Sequence, residues 1–476
     1  MIQTITIQDI FARLPAVRLK HNFFFSIPTG IIKEWHRALL IFFLFIIISD
    51  NSIAQNIPIV KSAIKSNREK TYTNIVNNSI LKNLSLPLTD TTEENWQSAF
   101  YALELINYKT PWVEGKIKQA FDSIEKRSAG FQRALLELCY TNYPKQFREE
   151  VYEITGKAIT AKVFAMAAEY LYQQDKANAA VLLMIGHNRF PVINLLDSGE
   201  KSKTIIAMLK ASAEKKAAPH FNKKIKAIFS PSFISKNCIL YSIQRKNRNY
   251  PGIAIIRDSL GNFITDSSGN IFSVPQLARS MSSLPFYLTN GNTPQGIFRM
   301  NGFDVSKSLA IGPTTNIQLM MPYETSPAYF LKDSTITDTL WTEELYKRLI
   351  TKPFKDYQPL FESFYAGKAG RTEIIAHGTT VNPEYYKGQP FYPHTPTEGC
   401  LSTKEIWSAA DGKRAESNQQ LLVNALIKAG NNNGYCVVIE IDDQQKPVSL
   451  KEILPYLKNN NMGKSPPKSG LPGKKK

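Results

Sequence analysis

The residues from Arg371 to Trp407, RTEIIAHGTTVNPEYYKGQPFYPHTPTEGCLSTKEIW, hold a histidine and a cysteine that could react as a pair. A short apolar run, Ile374 and Ile375, delivers His377-Gly378 at its end. A Pro/Tyr-rich loop follows, then Thr397-Glu398-Gly399-Cys400-Leu401-Ser402. A cysteine thiol needs a neighbouring base to become a nucleophile at neutral pH. It also needs backbone N–H groups aimed at the oxyanion of a tetrahedral intermediate, and a glycine just before it lets the backbone approach. His377 and Cys400 fit these roles if the loop folds back on the strand. His394, six residues before Cys400, could stand beside them. A zinc site from His377, His394 and Cys400 lacks a fourth ligand at recognisable spacing, so no metal is expected.

The motif order resembles the catalytic domain of the L,D-transpeptidases (YkuD-type). Upstream, Thr293-Pro294-Gln295-Gly296-Ile297-Phe298 is similar to that family's Thr-Pro-x-Gly-x-Phe strand entry, and it precedes His-Gly and Gly-Cys in the family's order. The resemblance covers roughly residues 240–442. It implies a mainly β domain that acts on peptidoglycan stem peptides with no metal or organic cofactor. It makes Cys400 the nucleophile and His377 the general base and then acid. Gly399 and Cys400 would donate backbone N–H groups to the oxyanion, and the Gly378 carbonyl would orient the imidazole. Thr293, Pro294, Gly296, Thr397, Glu398, His394 and Ser402 would line the substrate site. The chain also departs from the family. Nineteen residues separate His377 from Thr397, slightly more than usual. Glu398 replaces the second histidine, and Ser402 replaces an asparagine or arginine. An acid beside the thiol raises its pKa. Transpeptidation, an L,D-carboxypeptidase and a catalytically weak cell-wall-binding module of the same fold therefore all stay open.

The rest of the chain must position these residues. With 476 residues, 43% hydrophobic and 21% charged, it is neither a disordered nor a polytopic membrane chain. The expected fold class is α+β: an all-α region, 91–230, followed by a mainly β catalytic domain, 235–445. In the first, Trp96, Phe100, Leu103 and Ile106 recur at helical spacing behind Thr91 or Thr92 as a cap. Pro111, Pro144 and Pro191 punctuate the helices. In the second, CILYSI at Cys238–Ile243, IAII at Ile253–Ile256 and YCVVIEI at Tyr435–Ile441 read as strands, with a helix at Gln419–Lys428. Residues 264–288 look like an insertion.

The eleven apolar residues Ala38–Ile48, with Lys33 and Arg37 before them and Ser52-Ile53-Ala54 after, read as a signal peptide over 1–54. The run is about half a membrane span. An exported protein of the periplasm or cell envelope is expected, with no integral span after processing. Residues 55–90 read as a linker with at most short helices, and 458–476 as a disordered Lys-rich tail. The net charge of +18 suits anionic surfaces. No aromatic–basic nucleic-acid motif accompanies it, so nucleic acid is not an expected partner. Cys139, Cys238 and Cys436 read as core residues. A Cys400–Cys436 disulfide is conceivable outside the cytoplasm and would silence the nucleophile.

Overall fold

A computed structural model describes residues 57–174, 179–214, 225–430 and 433–457. The expected leader and the lysine tail lie outside the described residues. Within them the chain is a mixed α+β fold, helices first and then a large sheet.

The helical part is built on the expected periodicity. Trp96, Phe100 and Leu103 on helix Glu93–Ile106 are fully buried. They pack on helix Ala129–Asn142, where Phe131, Leu135 and Leu138 are also fully buried. Burying each such side chain contributes about 1.5–3 kcal/mol. Three expectations change. Residues 57–88 are not a linker: Lys65–Asn74, Ile75–Leu81 and Lys82–Ser85 are successive helical turns whose Ile75, Ile80 and Leu84 enter the same core. Thr92 does stand at the start of its helix, but its hydroxyl bonds Pro87 and Thr89 instead of the helix. Pro111 opens a helix behind the Thr110 cap, whereas Pro191 lies inside helix Ala179–Leu196. A proline at a first turn gives up an N–H that has no intrahelical partner anyway.

The strands are β1 (Ile239–Gln244), β2 (Gly252–Arg257), β3 (Val274–Gln276), β4 (Gly296–Asp304), β5 (Asn316–Met320), β6 (Ile375–His377), β7 (Leu401–Ser402), β8 (Glu405–Trp407), β9 (Arg414–Ser417) and β10 (Tyr435–Glu440). Eight form one sheet in the order β3-β2-β1-β10-β4-β5-β6-β7, and β8 pairs with β9. Only the β1–β10 and β6–β7 pairs are parallel. The two ends of the sheet meet: Leu277, just past β3, exchanges two backbone hydrogen bonds of 2.8 Å with Ser402 on β7. The sheet thus closes into a barrel-like wall, and residues 264–288 are part of its closure. Alternate residues of β1 and β10 enter opposite cores. Tyr241 and Val437 pack with Phe361 and Phe364 on one side, and Leu240 and Val438 with Leu422 and Leu426 of helix Asn418–Lys428 on the other. Strands buried on both faces read as continuous apolar runs.

The helical part and the sheet share a core. Leu284, Tyr287, Leu288 and Ala369 belong to the cluster of Trp96 and Phe131. Polar ties reinforce it: Tyr287 Oη donates to Glu169 at 2.6 Å, Asn290 Nδ2 to Glu137 at 3.2 Å, and Lys162 Nζ to Thr289 at 2.8 Å. The loop 282–292 is therefore the hinge-pin between the two parts, and both hold it.

Candidate active site

β6 and β7 bring the two motifs together. They run parallel with Ala376 opposite Leu401 and His377 opposite Ser402, which sets Cys400 beside Ile375. Parallel strands in register present paired residues to the same face, so His377 and Cys400 lie on a diagonal, about 8 Å apart at Cα from strand rise and spacing. The Pro/Tyr-rich loop does fold back, with Tyr386 and Phe391 packed on Leu277. Helix Asn418–Lys428 steadies the pair: Gln419 Nε2 donates to the Ala376 carbonyl at 2.9 Å and Gln419 Oε1 accepts from Thr403 at 3.0 Å.

His377 is 5% exposed, and its Nδ1 lies 2.5 Å from the Gly378 carbonyl. A carbonyl only accepts, so Nδ1 carries the proton and Nε2 the lone pair. Burial pulls the imidazole pKa down to about 4, against the Gly378 carbonyl, so the ring is neutral at pH 7. Gly378 is needed for close approach: a Cβ there would meet the buried Glu405 carboxyl at 2.2 Å.

All four cysteines are free thiols: Cys400 is half-buried, whereas Cys139, Cys238 and Cys436 are buried. The Cys400 Sγ accepts from Ile375 N–H at 3.5 Å and donates to the Glu373 carbonyl at 3.6 Å. Burial pushes the thiol up to about 11; Glu398 and Glu373 add to this, while the Ile375 N–H and Arg371 oppose it. The resting pair is thus a thiol and a neutral imidazole, and both shifts oppose proton transfer from the one to the other, because a general base works best with a pKa near the operating pH. Glu373, whose carbonyl receives the thiol, has a left-handed φ of 63° and donates its N–H to Glu324 at 2.8 Å. A residue other than glycine in that region costs about 1–3 kcal/mol.

The turn before Cys400 is built from the other motif residues. Gly399 has φ 115°, and a Cβ on it would lie 2.2 Å from Arg371 Nη2. Thr397 Oγ1 accepts from Gly399 N–H at 3.1 Å and donates to the Cys400 carbonyl at 2.9 Å. Thr293, fully buried, donates to the Gly399 carbonyl at 2.8 Å. Two motifs more than a hundred residues apart therefore share one hydrogen bond. Pro294 and Gly296 are buried at the entry to β4.

Several expected roles change with this geometry. Gly399 N–H is already engaged, leaving Cys400 N–H as the expected oxyanion donor. Thr293, Pro294 and Gly296 are buried supports and do not line a substrate surface. Ser402 is fully buried with its hydroxyl donated to the Thr395 carbonyl at 2.8 Å. His394 is 7% exposed, its Nδ1 against the Phe391 carbonyl and its Nε2 sealed without a partner, and burial pulls it down to about 4. No hydrogen bond joins it to Cys400 among the described residues. Glu398 is half-buried and faces the helical part, close enough to Glu104 and Glu137 to raise both carboxyls. Glu104, Glu137 and Arg371 escaped the sequence reading. An isolated arginine opening an apolar strand was the one local signal for Arg371, and nothing near the two glutamates tied them to a cysteine far along the chain.

Among the described residues no group of three His, Cys, Asp or Glu could hold a metal, and no helix is long and apolar enough to cross a membrane. No family model, curated protein or solved structure matches the chain.

Proposed function

We propose that this protein is an exported cysteine acyltransferase of the L,D-transpeptidase type, acting on peptidoglycan stem peptides. The observation that carries the reading is the convergence on one turn: Thr293 bonded to Gly399, and the His377 strand paired in register with the Cys400 strand.

In this mechanism the Cys400 side chain rotates from the Glu373 carbonyl toward His377. Nε2 takes the thiol proton as Sγ attacks the carbonyl carbon of the L-residue in an L–D bond. The carbonyl oxygen becomes an oxyanion facing Cys400 N–H. When the intermediate collapses, the C–N bond breaks and the D-alanine nitrogen takes the proton from His377. The thioester is then attacked by an amine of an acceptor stem or by water, with His377 again as base and the thiol restored.

A carbapenem is the direct probe. A single covalent adduct on Cys400 in the wild-type mass spectrum, absent in Cys400→Ser, supports the reading, as does D-alanine release from a tetrapeptide stem. A second reading, a cell-wall-binding module of the same fold, is favoured by the thiol pushed up to about 11 beside Glu398. Peptidoglycan binding with neither adduct nor release would select it.

A further inference from the structure

We infer that Arg371 is an electrostatic positioning residue for Cys400, and that the helical part sets it in place through the loop 282–292. The inference rests on Cys400 being the reactive nucleophile.

The geometry is specific. Arg371 is 6% exposed. Its Nη1 donates to the carbonyls of Phe286 and Asn292, the latter at 2.8 Å, and its Nη2 to the Gly291 carbonyl at 2.9 Å. The hydrogen-bond partners of this buried cation are carbonyl dipoles, and Glu324 is the carboxylate whose charge reaches it. The same Nη2 covers the space beside Gly399 where a side chain would stand. Arg371 thus lies between the loop it holds and the turn that carries the nucleophile. An anion that forms at Sγ adds a negative charge within electrostatic reach of this guanidinium.

Other charged groups act on the same thiol. Glu398 on its own turn and Glu373 at the entry to β6 oppose ionisation, and Arg371 favours it. Glu324, after β5, and Lys162, from the helical part, act on Arg371 itself with opposite signs. The three carbonyls that grip the guanidinium belong to a loop anchored in the helical core by Leu284, Tyr287 and Leu288. Docking of the helical part therefore fixes where the positive charge stands relative to sulfur. This gives the helical part a role in the chemistry that its own residues do not advertise.

Alkylation of Cys400 by iodoacetamide tests this without any peptidoglycan, so it can fail independently of the acyltransferase reading. The other three cysteines are fully buried, which keeps the reaction on Cys400. Below the thiol pKa the rate scales with the thiolate fraction, so a one-unit rise means about a tenfold slower reaction. Arg371→Gln, which keeps donors but loses the charge, is expected to slow alkylation about tenfold at every pH between 7 and 9. Arg371→Lys keeps the charge and is expected to stay within about threefold of wild type. Circular dichroism and melting check that each variant folds. Equal slowing by Gln and Lys, or none in Gln, would overturn the inference. If Arg371→Gln does not fold, Arg371→Lys decides alone: a folded Lys variant slowed tenfold refutes the electrostatic role.

Discussion

Thr293→Val isolates the bond that links the two motifs. The threonine is fully buried, its hydroxyl 2.8 Å from the Gly399 carbonyl, and valine replaces that hydroxyl with a methyl of nearly equal volume. The cavity term is therefore small, and the loss is a buried carbonyl left without its donor, about 1–3 kcal/mol. That is a sizeable part of the roughly 5–15 kcal/mol that holds a typical domain together. The same bond anchors the residue just before Cys400, and if Cys400 is the proposed nucleophile a shift of about 1 Å there costs on the order of a hundredfold in rate. Two assays read the two effects: urea unfolding followed by tryptophan fluorescence, and the rate of carbapenem acylation of Cys400. We expect a lower unfolding midpoint and acylation slowed at least tenfold. Thr293→Ser is the control, because it keeps the hydroxyl and loses only a methyl, about 0.8 kcal/mol. Wild-type behaviour of Thr293→Val in both assays would refute the reasoning. So would a serine variant as impaired as the valine one, since packing and not the hydrogen bond would then hold the turn.

Three further predictions follow from the site and its setting. Cys400→Ser and His377→Ala should each lower D-alanine release by about two to four orders of magnitude, and the double variant should fall no further, because a nucleophile and its base act as a unit. Two histidines oppose folding in acid: His377 and His394 are held at about 4 against an ordinary 6.5, so for these groups the unfolded chain binds more protons in that window. Their contribution is complete above pH 6.5, is lost as pH falls toward 4, and amounts to about 3 kcal/mol each. The test is a difference: across that range the urea midpoint should fall less steeply, or rise more, with acid in His394→Gln than in wild type. Glu104, raised by burial to about 7, Glu362, raised to about 8, and Glu137, raised well above the usual carboxylate range, act with the opposite sign, their contributions present in acid and lost as pH rises toward and through those values. Finally, residues 235–457 expressed alone should aggregate or bind a hydrophobic dye, because Leu284, Tyr287, Leu288 and Ala369 lose the core that covers them. A monodisperse fragment with a cooperative melt would show that the shared core is dispensable.

Local patterns in the chain determined a good deal by themselves. Helical spacing of Trp96, Phe100 and Leu103 marks the face that is buried, because a 3.6-residue period admits one apolar stripe. Apolar runs at 239–244, 252–257 and 435–440 are strands because both of their faces are covered. The spacing around His377 and Cys400 likewise pointed to a strand end and a tight turn. Short or polar elements were not legible: β3 and β7 hold three and two residues, too few for any period to show. The segment 57–88 is rich in Asn, Ser and Lys, and its helical turns rest on the few apolar residues that reach a core supplied by other segments. Only the tertiary structure decided which motif residues face the site. Thr293, Ser402 and His394 have side chains suited to substrate contacts, yet they are spent on carbonyls or sealed by packing. Arg371 and the helical part acquire their place beside Cys400 because a loop far from both in sequence is gripped from two sides. Contacts of that kind depend on chain closure across long separations, which residue types and local spacing do not encode.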